Sequence, residues 1–165
     1  MSLIVEDGTG ISTAQSYASA ADATTYHTAH GNAAWTGADP VKEAALVRAT
    51  AWLDDAFYHR WPSIKLLNTQ ALEFPRLGAI DADGYALAPV PAGLKTALYE
   101  AALVELVTPG GLSRDDSDNG NIQAESEGGM SRTYKKGGKQ PSDWPLIYAP
   151  LRRILKPATH PVGRT

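Results

Sequence analysis

The sequence predicts a mainly α fold: a small helical bundle of three long helices and a short C-terminal helix, with a minor β-hairpin arm and an extended C-terminal tail. Three observations carry this expectation. Apolar residues recur every three to four positions over two long stretches, 39–60 and 91–107. Start and stop residues bracket those stretches. Composition then shifts at Gly110, after which large apolar residues become sparse and Gly, Ser, Asp and Lys take over. The chain therefore divides into a helical body with an N-terminal arm (1–110), a loop or hairpin arm (111–142), and a short helix with an extended tail (143–165). At 165 residues these belong to one domain.

The N-terminal stretch, Ser2 to Ser12, is short, apolar and then Gly-rich, which fits an extended arm or a single strand. Ser16 or Ser19 is placed to cap a first helix over Ala20 to His30, with Gly31 closing it at the C′ position. Ala23, Tyr26, His27 and His30 share one face of it. Trp35, in the connector that follows, is expected to pack under the helix ends.

The second helix is the strongest signal. Asp39 is a candidate cap and Pro40 fits the first turn, where its missing N–H costs nothing. Val41, Ala45, Ala49, Leu53 and Ala56 form a stripe, broadened by Leu46, Trp52 and Phe57. Pro62 stops the helix by about Arg60 or Trp61. Ser63 to Arg76 is expected to hold one short helical turn near Asn68 or Thr69, ended by Phe74-Pro75. Leu77 to Pro89 is a loop that turns at Asp81-Ala82-Asp83-Gly84. Val90-Pro91 opens the third helix, whose stripe is Leu94, Ala97, Leu98, Ala101 and Val104; Thr108-Pro109-Gly110-Gly111 stops it. Helices two and three should pack antiparallel, with the first across them.

Within the arm, Asn121 to Glu127 and Met130 to Lys136 flank Gly128-Gly129, the spacing of a hairpin with a two-residue turn. A last helix is expected from Pro145 to Leu155, bent or restarted by Pro150, before a tail with two prolines.

Charge is unevenly spread. Residues 130–165 carry 8 basic and 1 acidic side chain, +7, so the first 129 carry 7 − 17 = −10 of the overall −3. A basic end on an acidic body fits an acidic partner, nucleic acid or protein, or else a solvated tail. The absence of Cys excludes disulfides and thiolate metal sites and fits a reducing cytosol. No run approaches the ~20 apolar residues that span a bilayer, and the opening residues lack a signal-peptide pattern. No membrane partner is expected.

Few residues suggest chemistry. His27 and His30 lie three apart on one helix but lack a third ligand at helical spacing, so no metal is expected. Asp55 and His59 are placed to pair along the helix. Asp54, Asp55 and His59 have no accompanying nucleophile. Two acidic turns fail as calcium loops: counting Gly84 as position 6 puts Val90 at position 12, and counting Gly120 puts Ser126 there, where a Glu is required. No phosphate loop, dinucleotide fingerprint or nucleophile elbow is present. No enzyme, no catalytic residue and no cofactor are expected. Arg132, Tyr134, Lys135 and Lys136 place an aromatic among cations on the hairpin, a pattern that suits either single-stranded nucleic acid or a docking arm for protein.

Several stretches together carry a family resemblance. They are LIVEDGTG at the start, the Ser-Tyr of AQSYAS, Tyr26-His27, Gly31-Asn32 with Trp35, and KEAALVRATAWLDD. Gln70-Ala71-Leu72, Phe74-Pro75-Arg76, and DGY followed by VPAGLKTALYEAAL complete the set. In this order they resemble a family of tailed-bacteriophage proteins often labelled DnaT-like single-stranded-DNA-binding protein, whose members resemble head–tail connector, or adaptor, proteins. The match covers residues 3 to about 107 well and the remainder in outline. The resemblance implies a structural virion protein of the neck, made in the host cytoplasm. It would form a homo-oligomeric ring, commonly of twelve copies, between the portal protein and a downstream stopper or tail-completion protein. DNA would pass through the lumen without sequence-specific contact. On that reading Trp144, Arg152, Arg153, Lys156, Pro157, His160, Pro161 and Arg164 are the expected portal-docking residues. Arg132, Tyr134, Lys135 and Lys136 would form an inter-subunit or DNA-facing arm. The alternative is a single-stranded-DNA-binding protein of the DnaT-like type.

Overall fold

A computed structural model describes residues 3–113, the strands at 122–127 and 130–134, and residues 144–157. It is mainly helical, as the periodicity predicts. Helix α1 spans Ala20–Ala29, α2 spans Asp39–Ala56, α3 spans Ala92–Val107 and α4 spans Pro145–Leu151. Two small antiparallel ribbons accompany them: β1 (Ile64–Lys65) with β2 (Arg76–Leu77), and β3 (Ile122–Glu127) with β4 (Met130–Tyr134). The second ribbon is the predicted hairpin, with Glu127 opposite Met130 and Ile122 opposite Tyr134.

Ser19, not Ser16, caps α1, in a capping box with Asp22 that satisfies two backbone donors reciprocally. Gly31 follows the helix at φ 66°, a left-handed conformation open to Gly at no steric cost. Helix α2 departs from expectation at its start. Ala38 is the N-cap, without a side-chain bond, and Asp39 is already helical. The Asp39 carboxylate therefore acts on the positive end of the helix from within the first turn rather than as a cap. Val41 in that first turn is 53% exposed, while its neighbour Lys42 turns inward over the Trp35 ring. From Ala45 onward the stripe is as read: Ala45, Leu46, Ala49 and Leu53 are fully buried. The α-helix stops at Ala56 and a single 3-10 turn, Tyr58–Arg60, carries the chain to Pro62.

Helices α2 and α3 form the main interface, and Leu94, Ala97, Leu98 and Ala101 on α3 are buried completely. They run antiparallel. Arg48, midway along α2, reaches Glu105 near the end of α3. Phe57, just past the end of α2, and Gly93, at the start of α3, both meet α4, at Tyr148 and Pro150. Trp35 is buried under the α1 end, stacked near His27, and donates its indole N–H to Thr24 Oγ1 at 3.0 Å.

The last described segment is part of this core rather than a free tail. Ile147, Leu151, Ile154 and Leu155 are all buried, and α4 packs on α3. The helix itself ends at Leu151, four residues before the predicted Leu155, and turns continue it. Close approach to α3 depends on Gly93. A Cβ there would sit 2.5 Å from the Pro150 carbonyl oxygen and 3.1 Å from Ile154 Cδ1. Gly93→Ala is expected to destabilise the fold by about 1–3 kcal/mol, because backbone must move to admit the methyl. Thermal melts with near-UV detection would check this, and an unchanged midpoint would show that α4 adjusts freely.

The chain turns at Asn68-Thr69, as expected, but without a helix, and the residues on either side pair as the β1–β2 ribbon, with Ile64 opposite Leu77. Side-chain bonds hold this limb together. Glu73 bridges Lys65 at 3.0 Å and Arg76 at 2.7 Å, while Arg76 also donates to the carbonyls of Pro62, Ser63 and Glu73. Near the N-terminus the chain makes an isolated parallel bridge, Val5 with Ser16. The buried Glu6 carboxylate holds that loop by accepting from the N–H groups of Gly8, Gly10 and Ile11, at 2.8, 2.9 and 2.8 Å.

Candidate functional site

Of the histidines and carboxylates that sequence inspection singles out, His27 and Asp54 are occupied structurally, whereas the expected Asp55–His59 pair does not form, because α2 ends at Ala56 and His59 lies on the 3-10 turn that follows. His27 is 1% exposed, with Nε2 3.1 Å from the Tyr99 carbonyl oxygen and Nδ1 3.0 Å from Asn32 Nδ2. That pairing fits a neutral ring protonated on Nε2, and burial lowers its pKa further. His30 faces solvent and stacks on Tyr26 at 4.0 Å. Asp54 accepts from Tyr17 Oη at 2.5 Å and from the Glu73 N–H at 3.1 Å, so it clamps the 63–77 limb to α2. Among the described residues no group of three His, Cys, Asp or Glu is arranged to hold a metal, and no helix is long and apolar enough to cross a membrane.

A concavity lies elsewhere. A groove of about 680 Å³ opens between residues 60–63, the turn at 80–82 and the segment 148–157. Arg60, Arg152, Arg153 and Lys156 line it together with Tyr148 and Asp81. Its walls are fixed by backbone bonds. The Lys156 N–H donates to the Arg60 carbonyl at 2.8 Å, and the Arg60 side chain returns two bonds to the Lys156 carbonyl at 3.1 and 3.2 Å. The Ala82 N–H donates to the Arg153 carbonyl at 2.8 Å, tying the acidic turn to the same segment. Arg60 also donates to Tyr148 Oη at 3.1 Å. The guanidinium carbons of Arg60 and Arg152 stand 5.4 and 5.6 Å from the Tyr148 ring centre, within cation–π range. Arg153 approaches Asp83 at 3.5 Å, both largely in solvent.

Four expected docking residues thus come together around this groove: Arg152, Arg153, Lys156 and Pro157 all line it. Trp144 does not. It sits half-buried at the start of α4, beside an apolar cleft formed with Leu103, Val104 and Leu146. Arg132 and Tyr134 lie on β4. Lys135, Lys136, His160, Pro161 and Arg164 fall outside the described residues, as does most of the 111–142 arm apart from its strands. Sequence reasoning missed Arg60, Ile80 and Tyr148 as groove residues. The pair Arg152-Arg153 was the available signal, because adjacent arginines after a short helix rarely both bury.

Beside the groove the surface is apolar. Seven of the eleven exposed large hydrophobics among the described residues come from 58–85, namely Tyr58, Ile64, Leu66, Leu67, Leu77, Ile80 and Tyr85, of which Ile80 lines the groove; Ile4, Val41, Val107 and Leu146 lie elsewhere.

No curated protein and no solved structure matches the chain. A family model does, over residues 1–165, and its description reads "Putative DnaT-like ssDNA binding protein". That match spans the whole chain, so the protein belongs to this DnaT-like family.

Proposed function

We propose that the protein is a structural subunit of a tailed-bacteriophage neck, a head–tail connector that assembles with copies of itself and with a portal protein. The observation that carries this reading is the exposed apolar limb at 58–85. The Ile64–Leu77 pair crosses the β1–β2 ribbon with its side chains 65% and 53% exposed. A limb that carries seven of the eleven exposed large hydrophobics among the described residues, one of them lining the cationic groove, suits burial against another protein. The connector identity itself comes from the resemblance in the first 107 residues. The acidic balance of the body would let DNA pass a lumen without being gripped, since like charge opposes phosphate binding.

The experiment is mass photometry of the purified chain alone and with its cognate portal, repeated on Ile64→Asp/Leu77→Asp. Assembly by the native chain, and its loss in a variant that remains folded, is the expected result. Unaltered assembly in the variant would remove the limb from the interface, and no assembly under any condition would remove the connector reading. A tail truncation should start after Pro157, because Lys156 is bonded to Arg60 on both its N–H and its carbonyl.

A second reading has a specific observation in its favour. The family description names single-stranded DNA, and it supports a DNA-binding role more directly than a connector role. On this reading binding weakens steeply as salt rises. Absence of binding at low ionic strength would dismiss it.

A further inference from the structure

We infer that the groove between the 80–82 turn and residues 152–157 binds an unpaired nucleic-acid strand, with Arg152, Arg153 and Lys156 meeting its phosphates. This goes beyond the connector reading and rests on the second one, to which it adds a place. Four cations and one carboxylate line the groove, 4 − 1 = +3, on a chain whose net charge is −3. The carboxylate, Asp81, is already engaged: its Oδ1 accepts from the N–H groups of Asp83 and Tyr85 at 3.0 and 2.8 Å. Asp83 faces Arg153, but the two side chains are 52% and 78% exposed, so a phosphate can displace that weak, screened pair.

The arrangement suits a polynucleotide better than an acidic peptide. Two guanidinium groups lie against the Tyr148 ring. A planar cation steadied on an aromatic ring offers a surface on which a base can stack. Carboxylate side chains have no use for such a surface. Pro62, Ile80 and Leu155 add apolar wall, which favours base faces over bare charge. Arg60 is committed to Lys156 and Tyr148, so it shapes the wall while Arg152 and Arg153 remain exposed for contact. A concavity encloses a single strand, whereas a duplex presents its phosphates on a convex surface and would touch only the rim.

The test is fluorescence anisotropy with a labelled oligothymidylate of about 20 nucleotides in about 50 mM salt. Native protein is compared with Arg152→Glu/Arg153→Glu, and with a hairpin variant, Arg132→Ser/Lys135→Ser/Lys136→Ser, in which Arg132 lies on β4 and the two lysines follow it in sequence. Circular dichroism confirms that each variant is folded. The expected result is at least about a tenfold loss of affinity in the groove variant and a small change in the hairpin variant. Loss confined to the hairpin variant would overturn the groove while sparing the DNA-binding reading. No binding by native protein would overturn both. Equal binding of a duplex of the same length, or competition by polyglutamate at equal charge, would overturn the choice of a single strand.

Discussion

Glu105→Ala should lower the unfolding free energy by about 3–5 kcal/mol at neutral pH. Glu105 is 2% exposed at the end of α3. Its Oε2 accepts from the Gly110 N–H at 2.8 Å and from Arg48 Nε at 2.9 Å, and its Oε1 accepts from the Leu112 N–H at 3.1 Å. Truncation leaves two backbone donors and part of a guanidinium without acceptors, and an unmade bond costs more than a made one gains. Glu105→Gln should fall between, because its amide nitrogen would face a donor. The pH dependence has a defined sign. Burial raises the carboxyl pKa, but the Gly110 N–H, Arg48 and the Leu112 N–H outweigh it and hold the group below its ordinary 4.5. A depressed folded pKa contributes stability that is present above the unfolded value and lost as pH falls through the folded one. Urea melts of both variants across the acid range would check this. A cost under about 1 kcal/mol for the Ala variant would mean that the 110–112 turn holds without this carboxylate.

Tyr17→Phe should cost about 2–3 kcal/mol, and its neighbour Asp54 should give an inverted pH response. The Tyr17 hydroxyl is the knot of the 63–77 limb. It donates to Asp54 Oδ1 and accepts from the N–H groups of Glu73 and Phe74, at 3.0 and 3.2 Å. Burial pushes the Asp54 carboxyl up to about 7 from an ordinary 3.8, and the Glu73 charge adds to the rise; Tyr17, the Glu73 N–H and Lys65 pull the other way. Between those two values the folded chain holds a proton that the unfolded chain has released. Stability from this site therefore falls as pH rises from about 4 to about 7, the reverse of a salt-bridged carboxylate. The change is on the order of 1–3 kcal/mol, allowing for partial solvent access at Asp54. Asp54→Asn should remove it. Denaturant midpoints for native protein and Asp54→Asn across that range provide the measurement, and parallel pH curves would refute the assignment.

The helices were legible because their information is local. Ala45, Ala49 and Leu53, like Leu94, Leu98 and Ala101, announce one buried face by spacing alone, and all six are fully buried. The errors have equally local causes. Asp39-Pro40 reads the same whether Asp39 caps the helix or begins it, so Val41 was placed in the core one turn too early. The β1–β2 ribbon is two residues per strand, too short for alternation to register. The carboxylate clamps were invisible because they join residues far apart in sequence: Tyr17 to Asp54, Arg48 to Glu105. The groove was half legible. Arg152, Arg153 and Lys156 stand out as charge, but Arg60 and Ile80 enter it only through tertiary packing.

The mutual bonds between Arg60 and Lys156 tie together residues 96 positions apart. No local stretch can build the cationic cleft: one wall waits on the other, so the cleft closes only when the 148–157 segment has docked against residues 60–63.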